Sequence, residues 1–191
     1  MKQGKAPYVP KSALEDALLA QKGLHGQRDK AILMLSHYMG LRSMELAALT
    51  LGDLFDPQTG QIRDVVRLLA EMTKGHKFRE VFLVNERARE TLRVYLTTRS
   101  LRHLSAPLFL SQRGGAFSAN TMQRLLSIMY RRAGVRGSSH SGRRSFATHL
   151  IESGADIYAV KELLGHASIV TTQAYFSTSP TRLKKFVGML A

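Results

Sequence analysis

The hydrophobic spacing of this 191-residue chain changes period in one region. As far as Thr50, and again from Asn85, apolar residues recur at the three- and four-residue intervals of amphipathic helices. Within residues 61–84 that spacing gives way. Val65-Val66-Arg67-Leu68-Leu69 and Glu80-Val81-Phe82-Leu83-Val84 are short strand-like runs, and Thr73-Lys74-Gly75-His76-Lys77 between them is a cation-rich turn. The spacing predicts a mainly α fold with a small antiparallel β-sheet, and it places Lys74 at or near a hairpin tip.

Around this hairpin the helices follow from caps and breakers. Ser12-Ala13-Leu14-Glu15 reads as a capping box opening a helix to about Lys22, ended by Gly23 and Gly26. A second helix is predicted from Gln27 to Tyr38, with Ala31, Ile32, Leu35 and Met39 on one side. A third runs from Leu41 to near Thr50. Further helices are expected from Asn85 to about Arg99, from Ser118 to Ala133, from His140 to Gly154, and from Ile157 to Leu164. Residues 1–11 read as an arm. After Pro180, Leu183, Phe186, Val187 and Leu190 form an apolar stripe too short to be stable alone. No repeat or linker divides the chain, so residues 1–191 are expected to form a single domain.

Charge narrows the partners. Lys and Arg number 28 against 14 Asp and Glu, a formal net charge of +14. The excess lies in the second half, where residues 91–191 carry 14 basic and 3 acidic residues. Such a balance favours a polyanion, bound through phosphate neutralisation and counterion release. No run approaches the length of a membrane span, and no apolar signal core follows the N-terminus. The absence of cysteine fits a reducing compartment. The chain is therefore expected in the cytoplasm, associated with the nucleoid, and away from membranes.

Ser139-His140-Ser141-Gly142-Arg143-Arg144 sits at a predicted helix start, with Ser138 and Ser139 as candidate N-caps and His140, Arg143 and Arg144 close enough in register to share a face. A helix N-terminus carrying imidazole and guanidinium groups suits a phosphate. Arg42, Lys74, His166 and Tyr175 each have an ordinary reading alone: a surface ion pair with Glu45, a hairpin-tip cation, a helix cap, a half-buried ring. Together they supply what metal-free phosphoryl transfer needs. A tyrosine hydroxyl is a competent nucleophile if its proton can leave. Arginines stabilise the charge of the transition state, and a lysine can protonate the leaving oxygen.

Neither a two-metal acidic cluster nor a phosphate loop ending in Lys-Ser or Lys-Thr is present. A zinc site built on His140, His149 and His166 is disfavoured. His149 lies nine residues after His140, roughly half a turn round the helix at 3.6 residues per turn. No cofactor and no metal are expected.

Read together, these segments resemble the boxes of the tyrosine recombinases, the phage-integrase family. Gly40-Leu41-Arg42-Ser43-Met44-Glu45-Leu46 resembles the first arginine box. Thr73-Lys74-Gly75 with Lys77, Arg79 and Val81 resembles the β-hairpin lysine motif. His140-Ser141-Gly142-Arg143 resembles the His-x-x-Arg box, and Leu163-Leu164-Gly165-His166 with Thr171-Thr172-Gln173-Ala174-Tyr175 resembles the final two. The resemblance spans residues 10–190 in family order. It implies a mostly α catalytic domain and site-specific strand exchange on double-stranded DNA without ATP or metal. Tyr175 would attack the scissile phosphate to give a 3′-phosphotyrosine link, and Lys74 would act as general acid on the 5′ oxygen. Arg42 and Arg143 would clamp the phosphate, His140 would assist proton transfer, and His166 would hydrogen-bond the phosphate. Glu45 would orient this set from behind.

The resemblance further implies integration, excision or inversion through a Holliday junction, by a tetramer on DNA, with the C-terminal tail, residues 177–191, either folded back on its own domain or docked in a neighbouring protomer as the family's tail exchange implies. Two positions depart from the family pattern: Arg144 stands where histidine is usual, and Gly142 where leucine is common. The chain also has room only for a short arm where most relatives carry an N-terminal DNA-clamping domain. It is thus expected to be a fragment or a short member without a core-binding domain. A short member could rely on a host tyrosine recombinase as partner. Two alternatives share these residues: an accessory module that binds DNA and activates a host recombinase, and a type IB topoisomerase-like enzyme.

Overall fold

The structure, a computed structural model, describes residues 6–73, 77–176 and 187–188. Its centre is helix α2 (Gly26–Tyr38), which packs against helices from both halves of the chain. The one-sided stripe expected of this helix understates its burial. Leu33 and Met34 are as inaccessible as Ala31, Ile32 and Leu35, and a helix apolar around most of its circumference belongs in the interior. Its buried first turn carries its own charge balance. Arg28 donates to Asp29 Oδ1 through Nε (2.9 Å) and Nη2 (2.7 Å), and through Nη1 to the Leu110 carbonyl (2.8 Å).

Around α2 stand α1 (Lys11–Leu19), α3 (Ser43–Ala48), α5 (Glu86–Leu96), α6 (Ala119–Arg132) and α7 (Ser141–Glu152). Asn85 and Ser118 cap α5 and α6 through their side chains. Two other cap readings need correction. Helix α1 begins at Lys11, with the extended Pro10 as its N-cap and no side-chain cap, and it ends at Leu19. Glu15, the expected capping-box partner, instead forms an ion pair with Arg87 on α5. At α7 the N-cap is His140, not Ser138 or Ser139, and Ser141 Oγ accepts the Ser138 N–H (2.9 Å). The helix expected over 41–50 is broken. After α3 the chain extends through Leu49, and Thr50 caps the short α4 (Leu51–Leu54) by a reciprocal bond with Asp53.

The predicted hairpin is present as β3 (Val65–Leu68) and β4 (Arg79–Phe82), antiparallel, with Val66 opposite Val81. Val66, Leu68 and Val81 point into the core while Val65 and Phe82 face outward. A second antiparallel pair, β1 (Phe55–Asp56) with β2 (Gln61–Ile62), was not anticipated, so the described residues hold two small sheets rather than one. Two-residue strands leave no readable alternation.

The final third forms a satellite core in which Ala147 and Ile151 of α7 meet Val160 and Leu164 of α8 (Ile157–Leu164). Tyr175 and Phe176 pack against this cluster, after a short α9 (Ile169–Gln173) that the sequence presents as a polar stretch. Its Ile-Val-Thr-Thr run has low helix propensity, and Ser168 caps it. The arm is no free strand where it is described. Val9 is buried and exchanges two hydrogen bonds with Ser145 Oγ, both 3.0 Å, while Tyr8 Oη lies 3.1 Å from His149 Nε2. Among the described residues no helix is long and apolar enough to cross a membrane.

Candidate active site

Four elements meet at one cavity of about 400 Å³, lined by Arg42, His140, Arg143, Arg144, His166 and Tyr175 with Ala6, Thr171 and Ala174. Arg42 comes from the N-terminus of α3, His140 and Arg143 from the start of α7, His166 from the turn after α8, and Tyr175 from beyond α9. Five of the six predicted residues are therefore brought together. Lys74, the sixth, lies outside the described residues. So do the predicted tail positions Leu183, Phe186 and Leu190.

Each side chain has an identifiable anchor. Arg143 is almost wholly buried and donates to the carbonyls of Gly40 (2.7 Å) and Leu164. Its guanidinium thereby ties the α2–α3 turn to the end of α8. Burial, then the neighbouring Arg42, pushes its pKa down to about 9, and Glu45 opposes that shift. Arg42 donates through Nη1 to Glu45 Oε1 (2.9 Å) and through Nη2 to the Gly165 carbonyl (3.4 Å). His166 Nδ1 pairs with the buried Thr172 Oγ1 at 2.9 Å, which fixes the ring and leaves Nε2 unengaged by that contact. Burial and the positive field of Arg143, Arg42 and Arg79 lower the His166 pKa to about 4, so its imidazole is neutral at pH 7. The His166 and Tyr175 rings lie nearly parallel, 14° between planes and 6.1 Å between centroids. Arg144 lines the same cavity, and its guanidinium is also tied to the arm. It donates to the Ala6 carbonyl and so holds the arm against α7.

Glu45 lies fully buried behind this face. Its carboxylate accepts the Arg42 N–H (2.6 Å) and a two-pronged contact from Arg79 on β4 (2.6 and 2.8 Å). Burial works against its charge, but the bonds from Arg79 and Arg42 prevail and hold its pKa below the ordinary carboxylate value. Arg79 is the residue sequence reasoning named in a motif but gave no role. The available signal was its place two residues after Lys77 on an inward-facing strand position. Thr73, also buried, clasps the hairpin loop at its base. Its Oγ1 accepts the Lys77 N–H (3.0 Å) and donates to the Lys77 carbonyl (2.7 Å). No group of three or more His, Cys, Asp or Glu that could hold a metal ion occurs among the described residues.

Gly142 permits the packing on which this face depends. A Cβ built there would lie 2.1 Å from Ser36 Oγ, 2.8 Å from Ser36 Cβ and 3.0 Å from the Ser36 carbonyl carbon. Helix α7 therefore rests backbone to backbone on α2, a packing that leaves no room for leucine at this position.

The family model for the phage integrase family matches residues 11–182. The chain belongs to this family, the tyrosine recombinases. As a phage integrase-family chain it is 38% identical over 161 residues to the tyrosine recombinase XerC of Pelobacter propionicus, a match covering 83% of this chain and 50% of that protein. The chain spans about half the length of the curated relatives it matches. Among solved structures it is similar to the XerA recombinase, with a TM-score of 0.74 and 25% identity over 99% of this chain and 65% of that one. It is equally similar to the XerH site-specific recombinase bound to a palindromic difH substrate in a post-cleavage complex, with TM-score 0.74, 25% identity, and coverage of 99% and 54%. The mainly helical fold with small antiparallel sheets is that of the tyrosine recombinase catalytic domain.

Proposed function

We propose that this chain is a DNA-cleaving and rejoining domain that works through a covalent link between Tyr175 and a 3′ phosphate. The observation that carries this reading is the lining of the cavity. Three guanidiniums, two imidazoles and one tyrosine face it, and no carboxylate does among the described residues. Such a surface selects a phosphodiester over a cation or a neutral ligand. The known relatives, among them a recombinase captured on its DNA after cleavage, point the same way.

In this reading Arg42 and Arg143 hold the non-bridging oxygens and offset the charge of the pentacoordinate transition state. The Tyr175 oxygen attacks phosphorus, the bond from phosphorus to the 5′ oxygen breaks, and the leaving oxygen takes a proton from Lys74. His140 assists removal of the tyrosine proton. Neutral His166 donates from Nε2 to the phosphate while its Nδ1 accepts from the Thr172 hydroxyl. Attack by the 5′ hydroxyl of another strand reverses each step and regenerates the tyrosine, so no nucleotide or metal is consumed. The partner is double-stranded DNA. Four copies, or copies alternating with a host tyrosine recombinase, would exchange strands through a Holliday junction, in the cytoplasm at the nucleoid.

The test uses a nicked duplex carrying a binding site selected from a random-sequence duplex library. The wild type should form a covalent adduct resolved by denaturing electrophoresis, and Tyr175→Phe should form none. An unchanged adduct in Tyr175→Phe, or none from the wild type on a duplex it binds tightly, overturns the reading. Recombination by a host enzyme that is equally stimulated by wild type and Tyr175→Phe would make the chain an accessory module instead.

A further inference from the structure

Arg79 lies outside the cavity of Tyr175, yet three parts of that site converge on it. Its two terminal nitrogens grip the Glu45 carboxylate at 2.6 and 2.8 Å, and the same carboxylate holds Arg42 by both its backbone N–H and its guanidinium. Its stem lies against the turn that presents His166. Gly165 is left-handed, with φ of 61°, and a Cβ there would come within 2.7 Å of Arg79 Cδ. The carbonyl of that same glycine accepts from Arg42 Nη2. Arg79 thus closes a ring from β4 to Glu45 to Arg42 to Gly165 and back to its own stem. Its Nε is buried without a hydrogen-bond partner. A buried unsatisfied donor is a cost tolerated only where geometry is held by something stronger, here the two-pronged carboxylate contact.

We propose that Arg79 is a positioning residue, which fixes the Arg42 guanidinium and the Gly165–His166 turn at the spacing that fits a phosphate. The inference rests on the phosphodiester reading of the cavity. A planar fork is the group this task needs. It sets the rotation of the Glu45 carboxylate, whereas a lysine ammonium would fix one oxygen and leave the plane free. Rotation of Glu45 would swing Arg42 across the mouth of the cavity. The turn holding His166 would at the same time lose the stem on which it rests.

The test separates positioning from simple loosening by changing the charge of the phosphate. Single-turnover adduct formation is measured for wild type, Arg79→Met and Arg79→Lys on two nicked duplexes. One carries the ordinary phosphodiester, and the other a methylphosphonate at the scissile position, which lacks one anionic oxygen. If Arg79 places the clamp, Arg79→Met should slow cleavage of the phosphodiester by about 10²-fold, the scale of losing one preorganised contact to developing charge. Its rate on the methylphosphonate should stay within about threefold of the wild type, because a neutral phosphoryl group needs less of the clamp. Arg79→Lys should fall between, and it serves as the readout if Arg79→Met does not fold. Equal slowing on both substrates in each folded variant, or no slowing on either, overturns the assignment. A wild type that forms no adduct on the phosphodiester would instead overturn the reading of the cavity.

Discussion

Gly142→Ala tests whether the close approach of α7 to α2 sets the site. The added Cβ would begin 2.1 Å from Ser36 Oγ, 2.8 Å from Ser36 Cβ and 3.0 Å from the Ser36 carbonyl carbon. The hydroxyl is buried and has no hydrogen-bond partner, so it can rotate away without losing a bond. The other two contacts cannot be relieved by rotation. Ordinary contact begins at 3.4 Å, so the Ser36 backbone alone requires the helices to part by about 0.4 Å, the difference between 3.4 and 3.0, and Ser36 Cβ requires about 0.6 Å. Overpacking of this kind costs about 1–3 kcal/mol.

The displacement would also carry His140 and Arg143, because both stand on the first turn of α7. Misplacement by about 1 Å can cost 10²-fold in rate, so a shift of this size should slow adduct formation about tenfold. The compensating change is at Ser36. Ser36→Ala removes the shortest contact, and Ser36→Gly removes the Cβ contact as well. In a double-mutant cycle by urea denaturation, Gly142→Ala should couple favourably with Ser36→Ala and more strongly with Ser36→Gly. The cycle cancels the intrinsic cost of about 1 kcal/mol for a glycine within a helix. Cleavage should recover in the same order. Additivity within about 0.5 kcal/mol would refute the packing argument.

The other predictions concern charge. Glu45→Gln leaves Arg42, Arg79 and Arg143 without their shared anion, and breaking a buried ion pair costs about 3–5 kcal/mol. The midpoint of thermal unfolding should fall by about 10 °C for a chain of this size. Inorganic phosphate should restore more of it in the variant than it adds to the wild type, and equal increments would refute the shared-anion account. The second prediction concerns acid. His37, buried and 2.7 Å from Tyr130 Oη, has its pKa lowered to about 3, by burial first and then by His149. Because the folded value lies below the unfolded one, the unfolded chain binds the extra proton between pH 6.5 and about 3. His37 therefore costs nothing above that window, and stability falls as pH falls through it. The loss from pH 7 to 4.5 should be about 2–3 kcal/mol from this group. Urea denaturation of the double variant His37→Leu with Tyr130→Phe should show a shallower loss over the same range. An unchanged pH slope would refute it.

The site was legible where residue type and spacing carry the chemistry. His140 and Arg143 share a helix start, so local register nearly determines their placement, whereas His166 and Tyr175 were legible through residue type and their short separation in sequence. Arg42 was legible only as part of the set, because its ion pair with Glu45 is also what a bland surface arginine makes. Arg79 could not be weighted from sequence. Its role depends on Glu45, 34 residues earlier, and on the backbone of Gly165, 86 residues later, and neither separation leaves a periodic trace. The docking of the arm on α7 left no sequence trace for the same reason. Val9 pairs with Ser145, 136 residues later, and Ala6 with Arg144, 138 residues later. The second sheet and α9 were missed because two-residue strands and a Thr-rich helix fall below what periodicity and propensity resolve.

A buried carboxylate behind a cationic face looks counterproductive until the charges are counted by direction. Both oxygens of Glu45 are occupied from behind and beside the site, by Arg79, by the Arg42 backbone and by one nitrogen of Arg42. None lines the cavity. Without that anion, Arg42, Arg79 and Arg143 would repel one another in a poorly solvated space, and the shift of Arg143 down to about 9 already records how much burial and Arg42 weigh on it. Glu45 offsets this repulsion at the rear, while the uncommitted N–H groups of Arg42 and Arg143 remain for a ligand at the front. The balance is incomplete by design of the residues present: one carboxylate faces three guanidiniums. In the proposed reaction an approaching phosphate would supply the missing negative charge, and the transition state of attack, with more charge on the same oxygens, would supply it better. On that proposal, the excess of cations that would be costly by itself is the same excess that would favour the reacting phosphate over the resting one.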